Sequence, residues 1–344
     1  MKIDRGLLKK IPKVELHCHL DGSVRAKTIM EIAEKQKMAL PEHSVEGLKK
    51  YVQVPPDCRS LTEFLKVFDF FLPFLKNPEA VERISYELCE DCAAENVRYL
   101  EVRFAPFLQS AENFPTEEVV ETCLSGLARG RRDFGIGTGL ILCCMRFVPE
   151  EVNVATVELA KKYLGRGVVA LDLAGDESRF PTKSFSRPFR LAAEYGIPFT
   201  LHAGEASGPS SISDALSLGA SRIGHGTNLI KDAALMERIK GGGIPLEVCI
   251  TSNVQTAVVG DFASHPVKEF YKNGLKVTLN TDDRSVSGID LTNEYGVFTE
   301  RLGFGIEDII KIVKNGVDAL FVPAAERVAL GKSFDAEFRK MKLI

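Results

Sequence analysis

Several things are missing from this sequence, and each absence excludes something. There is no excess of one charge. The 44 basic and 47 acidic residues leave a formal net charge of −3, so neither a nucleic acid nor another polyanion is expected as a partner. No apolar run approaches the roughly 20 residues that a membrane span needs. The opening Met1-Lys2-Ile3-Asp4-Arg5 lacks the apolar core of a signal peptide. The expectation is a cytoplasmic protein with no membrane partner. A disulfide framework is not expected either. Most of the eight cysteines, among them Cys18, Cys123, Cys143, Cys144 and Cys249, sit inside apolar segments and read as reduced core thiols. Cys89-x-x-Cys92 has no second pair and falls in a helical pattern from Ile84 to Ala94, so the context of a zinc ribbon or redox pair is absent. No repeat, low-complexity tract or Pro- and Ser-rich linker divides the chain. Its 344 residues, 45% apolar, read as one domain over 1–344, a length α/β barrels often reach as one unit.

What is present begins with Val14-Glu15-Leu16-His17-Cys18-His19-Leu20-Asp21-Gly22. Val14, Leu16, Cys18 and Leu20 alternate with Glu15, His17 and His19, which is the period of two of a strand. Residues two apart on a strand point the same way, so His17 and His19 present two imidazoles to one point. That is half a metal site, or else a pair of partly buried histidines.

The stretch from about 24 to 94 reads as a helical insertion. Thr28 to Lys37 is one helix. Ser60 opens another as N-cap, with Glu63 completing a capping box, and that helix ends near Pro73. Leu61, Phe64, Leu65 and Phe68 then share one face, which is core packing or an apolar lid over a pocket. Seven further apolar segments follow: Val97–Phe104, Thr138–Met145, Val168–Leu173, Ile197–Leu201, Arg222–Gly224, Ile244–Ile250 and Lys276–Leu279. Helical patterns lie between them: Thr116–Phe134, Pro149–Leu164, Ser186–Tyr195, Ser211–Leu218, Lys231–Lys240 and Val267–Lys272. Eight strand-helix units predict an α/β fold, a (β/α)8 TIM barrel with a helical lid after strand 1. A doubly wound open sheet would carry a Gly-rich phosphate turn after its first strand, and Asp21-Gly22-Ser23 is not one.

In such a barrel the chemistry sits at the carboxyl ends of the strands. These ends read His17-Cys18-His19, Arg103, Asp172 to Glu177, His202-Ala203-Gly204-Glu205, Gly224-His225-Gly226, Thr251-Ser252-Asn253 and Asn280-Thr281-Asp282-Asp283. Four of the six histidines fall there. The clustering points to one metal ion held by His17, His19, His202 and Asp282. Three nitrogens and one oxygen suit Zn2+, though Fe2+ or Co2+ fits the same set. Such an ion lowers the pKa of a bound water to about 7. Arg103 reads as a structural ion-pair partner. Taken one at a time, Asp282-Asp283 reads equally as a solvated turn, and Glu205 as a carboxylate at a helix N-terminus.

The segments Val14–Ser23, Tyr99–Pro106, Leu173–Glu177, His202–Glu205, Ile223–Gly226, Thr251–Asn253 and Leu279–Asp283 together resemble the adenosine deaminase family of the amidohydrolase superfamily, in order and over nearly the whole chain. The resemblance implies hydrolytic deamination of adenosine and 2′-deoxyadenosine. It makes Glu205 the proton donor to N1 of the purine. It makes His225 the residue that orients the attacking water and takes its proton, and gives Asp282 a touch on that water. It implies Asp283 on N7, the Gly175 backbone on N3, and His19 and Asp21 toward the ribose 5′-hydroxyl. Leu61, Phe64, Leu65 and Phe68 then form the lid. The His-x-Glu and Pro-Cys-x-x-Cys pattern of the other zinc deaminase class is missing.

The chain departs from the family after Asp283. Many members carry Pro and a bulky apolar residue there, and this chain has Arg284-Ser285-Val286-Ser287. The departure resembles variants that act on larger or modified adenine nucleosides such as 6-aminodeoxyfutalosine. N6-methyl-AMP is a further alternative, for which a cation near the 5′ position would matter, and Arg284 reads as that cation or as a solvated loop residue. Two other classes are an amidohydrolase with a bridging carboxylated Lys, for which no Lys stands at a strand end, and a non-catalytic barrel, which would have lost a ligand or Glu205. The expected partner is a small purine nucleoside. Oligomeric state is not readable from the sequence.

Overall fold

The computed structural model describes residues 3–344. Eight strands follow one another: β1 Lys13–His19, β2 Val97–Phe104, β3 Gly137–Met145, β4 Val168–Ala174, β5 Thr200–Ala203, β6 Arg222–His225, β7 Leu246–Val248 and β8 Val277–Leu279. They pair in parallel as two runs, β1 to β4 and β5 to β8. Parallel neighbours need a crossover, and helices supply it. Between β4 and β5 the runs meet at Leu171 and Phe199, where the Leu171 N–H donates to Pro198 O at 3.1 Å. Between β8 and β1 they meet at Cys18 and Asp282. There His19 N–H donates to Asp282 O at 2.7 Å, and Asp282 N–H to His17 O at 2.9 Å. Side chains complete this second seam. Asn280 Oδ1 accepts from Leu16 N–H at 3.0 Å, and Glu15 Oε2 accepts from the Thr281 hydroxyl at 2.8 Å. The fold is the (β/α)8 barrel that the alternation predicts.

The alternation in β1 separates two buried faces. Val14, Leu16 and Cys18 are buried, and so are Glu15 and His17, as a barrel wrapped in helices requires. Val14 meets Gly316 of helix Ile306–Ala319 so closely that a Cβ there would lie 2.5 Å from Val14 Cγ2. That helix and Ala324–Lys340 add to the helices expected from the sequence. The helices over Thr116–Phe134 and Val267–Lys272 have the predicted bounds.

Three expectations need correction. The apolar run Ile244–Ile250 yields only the strand Leu246–Val248, because Ile250 already begins a helix, Ile250–Gln255. Thr251, Ser252 and Asn253 therefore lie on a helix and not at a strand end. The run Ile197–Leu201 becomes Thr200–Ala203, since Pro198 has no N–H to give a ladder. The helix opened by Ser60 is short, Leu61–Leu65. Phe68–Phe71 and a tighter turn over Leu72–Leu75 that contains Pro73 follow it. Ser60 does cap it, accepting from Glu63 N–H at 3.2 Å. The Glu63 carboxylate, however, takes the N–H of Arg59 at 2.7 Å, so the box closes one residue early.

Candidate active site

Strand β1 carries His17 and His19 inward, β5 ends on His202, and the turn after β8 supplies Asp282. Ligand atoms of these four residues all lie within 4.8 Å of one another. His202 Nε2 stands 3.1 Å from His17 Nε2 and 3.3 Å from His19 Nε2. Asp282 Oδ1 stands 3.1 Å and 3.3 Å from the same two ring nitrogens of His17 and His19. The far nitrogens of two rings are already engaged. His17 Nδ1 faces Glu247 Oε2 at 2.8 Å, and His202 Nδ1 faces Asp172 Oδ2 at 3.0 Å. Each Nδ1–H donates to its carboxylate, so both Nε2 lone pairs turn toward the same point, as in a carboxylate–histidine–metal arrangement. Burial also pushes His202 down to about 3, against the pull of Asp172, so its ring is neutral, as a ligand must be. Lone pairs this close repel unless a cation lies among them. A tetrahedron with ligand bonds of about 2.1 Å has edges of roughly 3.4 Å, close to the separations found. The donor set therefore fits a zinc-type ion.

Beneath the ligands lies a buried ion-pair network that the sequence reading missed apart from Arg103. Arg103 on β2 donates to Asp172 Oδ2 and Glu247 Oε2, each at 2.9 Å. Arg222 on β6 reaches Glu101 Oε2 and Glu247 Oε1, each at 2.6 Å. Burial alone would raise Glu247, but Arg103 and Arg222 hold it well below the carboxylate range. The signal was available. Glu247 and Asp172 are lone charges inside apolar strands, Leu246-Glu247-Val248 and Ala170-Leu171-Asp172-Leu173, and a buried charge needs a partner.

Above the ligands opens a cavity of about 480 Å³. Its lining includes His19, Asp21, Leu61, Phe64, Leu65, Phe68, Gly175, His202, Glu205, His225, Asp282 and Asp283. The residues that the adenosine deaminase resemblance assigns to the ligand, catalytic, substrate and lid sets all lie on this cavity except His17, which sits among the candidate ligands below it. Gly175 leaves β4 with φ of +102°, a conformation that favours glycine. At Gly22 a Cβ would lie 1.7 Å from Asp283 Oδ1, so only glycine lets that carboxylate stand where it does. Asp21 is held by Gln109, whose Nε2 donates to its Oδ2 at 3.1 Å.

Glu205 is buried in a loop folded around another carboxylate. Glu177 accepts from the backbone N–H groups of Gly204 at 2.7 Å, Glu205 at 2.9 Å, Ala206 at 2.8 Å and Ser207 at 3.0 Å. The Ser211 hydroxyl is a fifth donor. Burial first, then the charges of Asp282 and Glu177, push Glu205 well above the carboxylate range. Asp283 is raised too, by burial and by Asp282. Asp283 Oδ1 and His225 Nε2 are buried polar atoms with no partner among the described residues, and such atoms on a cavity wall await a ligand. The site thus holds carboxyls pushed toward their protonated forms beside a metal-type ligand cluster.

Arg284 corrects an expectation. It is buried, it pairs with Glu95, and it does not line the cavity. It is neither a cation for the 5′ end of a substrate nor a solvated loop residue. The cations that do line the cavity are Lys66 and Arg179.

The family model for adenosine deaminase matches residues 12–337. An adenosine deaminase of Clostridium kluyveri is 41% identical over 316 residues, covering 92% of this chain and 91% of that one. Among solved structures, an amidohydrolase of Burkholderia ambifaria with bound Zn superposes with a TM-score of 0.89 at 26% identity, covering 99% of this chain and 95% of that one. The N6-methyl-AMP deaminase of Arabidopsis thaliana superposes with a TM-score of 0.83 at 28% identity, over 97% and 98%. With the ligand cluster, the barrel and a match along nearly its whole length, this chain belongs to the adenosine deaminase family.

Proposed function

We propose that the protein hydrolyses adenosine and 2′-deoxyadenosine to inosine and 2′-deoxyinosine, with release of ammonia. The observation that carries the reading is the convergence of four ligand atoms within 4.8 Å beside a buried Glu205, whose carboxyl burial pushes well above its ordinary range. In this reading residues 1–344 form one cytoplasmic, metal-dependent barrel domain, with the insertion at about 24–94 as lid. His17, His19, His202 and Asp282 hold one Zn2+, and Fe2+ or Co2+ would suit the same donors. When bound, such an ion supplies a Lewis acid that brings a water's pKa to about 7.

The chain's own residues do the rest. Glu205 gives its proton to N1 of the purine, which makes C6 electrophilic. The water oxygen adds at C6, directed by His225 and Asp282; one of its protons leaves with the amino group as ammonia, and the other returns to the Glu205 carboxylate as the C6 carbonyl forms. Asp283, raised like Glu205, donates to N7. The backbone at Gly175 meets N3, and His19 and Asp21 face the ribose 5′-hydroxyl. Leu61, Phe64, Leu65 and Phe68 cover the base and exclude water, which strengthens each polar contact.

The test is loss of adenine absorbance on incubating metal-loaded protein with adenosine, alongside Glu205→Gln. The variant should keep its metal and lose about 100- to 10,000-fold in rate. In the wild type the rate should fall as pH rises through the pKa of Glu205, because the protonated form works. Full activity in Glu205→Gln would remove this residue from the mechanism. One observation favours a second reading. Lys66 and Arg179 line the cavity, and a phosphate would pair with them. N6-methyl-AMP belongs in the same assay, and faster turnover of it than of adenosine would transfer the assignment. The 6-aminodeoxyfutalosine alternative rests on the departure Arg284-Ser285-Val286-Ser287, and its first residue, Arg284, is buried with Glu95 and does not line the cavity.

A further inference from the structure

Behind His225 runs a chain of contacts that the deamination chemistry above does not use. It starts on the backbone. Val267, the first residue of helix Val267–Lys272, donates its N–H to His265 Nδ1 at 3.1 Å. A backbone N–H can only donate, so His265 Nδ1 is an acceptor and the ring's proton sits on Nε2. That nitrogen lies 3.2 Å from Asn253 Oδ1, which must accept. The amide is thereby oriented, and its Nδ2 faces His225 Nδ1 at 2.9 Å as a donor. His225 Nδ1 is then an acceptor too, and its proton is on Nε2. That nitrogen has no hydrogen-bond partner among the described residues. It points into the site, 3.8 Å from both Glu205 Oε2 and Asp282 Oδ2. All three side chains in the relay are buried, so water does not reset it. Reversing the amide would set two N–H groups against each other at one end or the other.

We propose that Asn253 and His265 are positioning residues that fix His225 as the Nε2–H tautomer, so that it meets the attacking water as a hydrogen-bond donor. The same contact leaves no acceptor for a second proton on Nδ1. The role implied by family resemblance, in which His225 takes the water's proton, needs a lone pair at Nε2, and this relay removes it. The carboxylate oxygen facing the same space is Asp282 Oδ2, which accepts from the Ser252 hydroxyl at 2.7 Å and is the acceptor left on that side of the water. A donor fixed before the reaction stabilises negative charge on the oxygen as it adds to C6.

The rate part of this proposal rests on the deaminase reading, but the tautomer does not. The metal-loaded protein, with 15N-labelled histidine, should show His225 with Nε2 protonated and Nδ1 bare. Asn253→Asp keeps the shape and replaces the donor with a second acceptor, so the His225 proton should move to Nδ1. With adenosine, kcat should then fall about 100-fold, the usual cost of one lost donor to a developing oxyanion, while KM changes little. His265→Phe frees the amide to turn, and should give a mixture of tautomers and a smaller fall. Two results overturn the proposal: Nδ1–H at His225 in the wild type, or kcat in Asn253→Asp at or above the wild-type value once the proton has moved. If Asn253→Asp does not fold, the wild-type spectrum decides alone. A wild type that leaves adenosine untouched would defeat the functional reading and leave that spectrum as the judge of the tautomer.

Discussion

The two halves of the barrel are built differently. Strands β1 to β4 contain 7, 8, 9 and 7 residues, whereas β5 to β8 contain 4, 4, 3 and 3. In the first half the ladder runs to the mouth, and His17 and His19 reach the candidate ligand cluster simply by strand alternation. In the second half the ladder stops early because the backbone turns aside. His225 has φ of +60° and Asp282 φ of +63°. Neither is glycine, and such a conformation costs on the order of 1–3 kcal/mol per residue. The surroundings must hold it in place, and side chains take over from the missing ladder. Glu177 gathers the N–H groups of 204 to 207, Asn280 bridges the seam, and Ser252 and Asn253 steady Asp282 and His225. The regular half supplies a platform, and the irregular half aims the reactive groups.

The largest expected effect breaks that second half at its ligand. Asn tolerates the left-handed backbone better than most residues, so Asp282→Asn should fold with little change in Tm. It should lose most of its metal and at least about 1,000-fold in activity, since an amide is a poor substitute for a carboxylate ligand. Metal content by mass spectrometry and an adenosine assay test this. A fully metallated, active Asp282→Asn would remove Asp282 from the ligand set. Next comes Glu177→Gln, which places an NH2 among five donors and must displace at least one. Its kcat should fall by about 10- to 100-fold as the Glu205 loop loosens, with metal content retained. An unchanged kcat would mean that the loop holds Glu205 without Glu177.

The same contrast explains what could be seen in the sequence. The platform was legible because periodicity carries it. Helix Thr116–Phe134 and strand β2 keep their predicted bounds, and His17 and His19 follow from a period of two. The cluster was legible because His202 and Asp282 are rare residue types at the ends of apolar runs. The second half was less legible because its strands are too short to show a period. Ile244–Ile250 read as one strand, when three of its residues form β7 and Ile250 starts a helix. Arg284 was misplaced for another reason. An arginine after two aspartates looks solvated, and its buried partner Glu95 is 189 residues away. The relay through His265 was out of reach, since nothing in His265-Pro266 says which ring nitrogen meets a backbone N–H.

The smallest predicted effect probes where the lid meets the barrel. Thr62 on helix Leu61–Leu65 donates its hydroxyl to Asp176 Oδ2 at 2.5 Å. Asp176 itself sits in the turn after β4, where its Oδ1 accepts from Ser178 N–H at 3.1 Å. One hydrogen bond thus fastens the insertion to the rim beside Gly175. Both residues line the cavity, so the bond acts on how the pocket closes over a base and leaves the reacting atoms alone. A hydrogen bond to a charged group is worth about 1.5–3 kcal/mol when buried, and this one lies partly at the surface, so its share is smaller. Thr62→Ala should therefore raise KM by about 3- to 10-fold, the equivalent of roughly 0.7–1.4 kcal/mol, and keep kcat within about twofold. Thr62→Ser, which keeps the hydroxyl, should restore KM. If kcat fell instead and KM stayed, the bond would be shaping the transition state, and the lid would belong with the aiming half of the barrel.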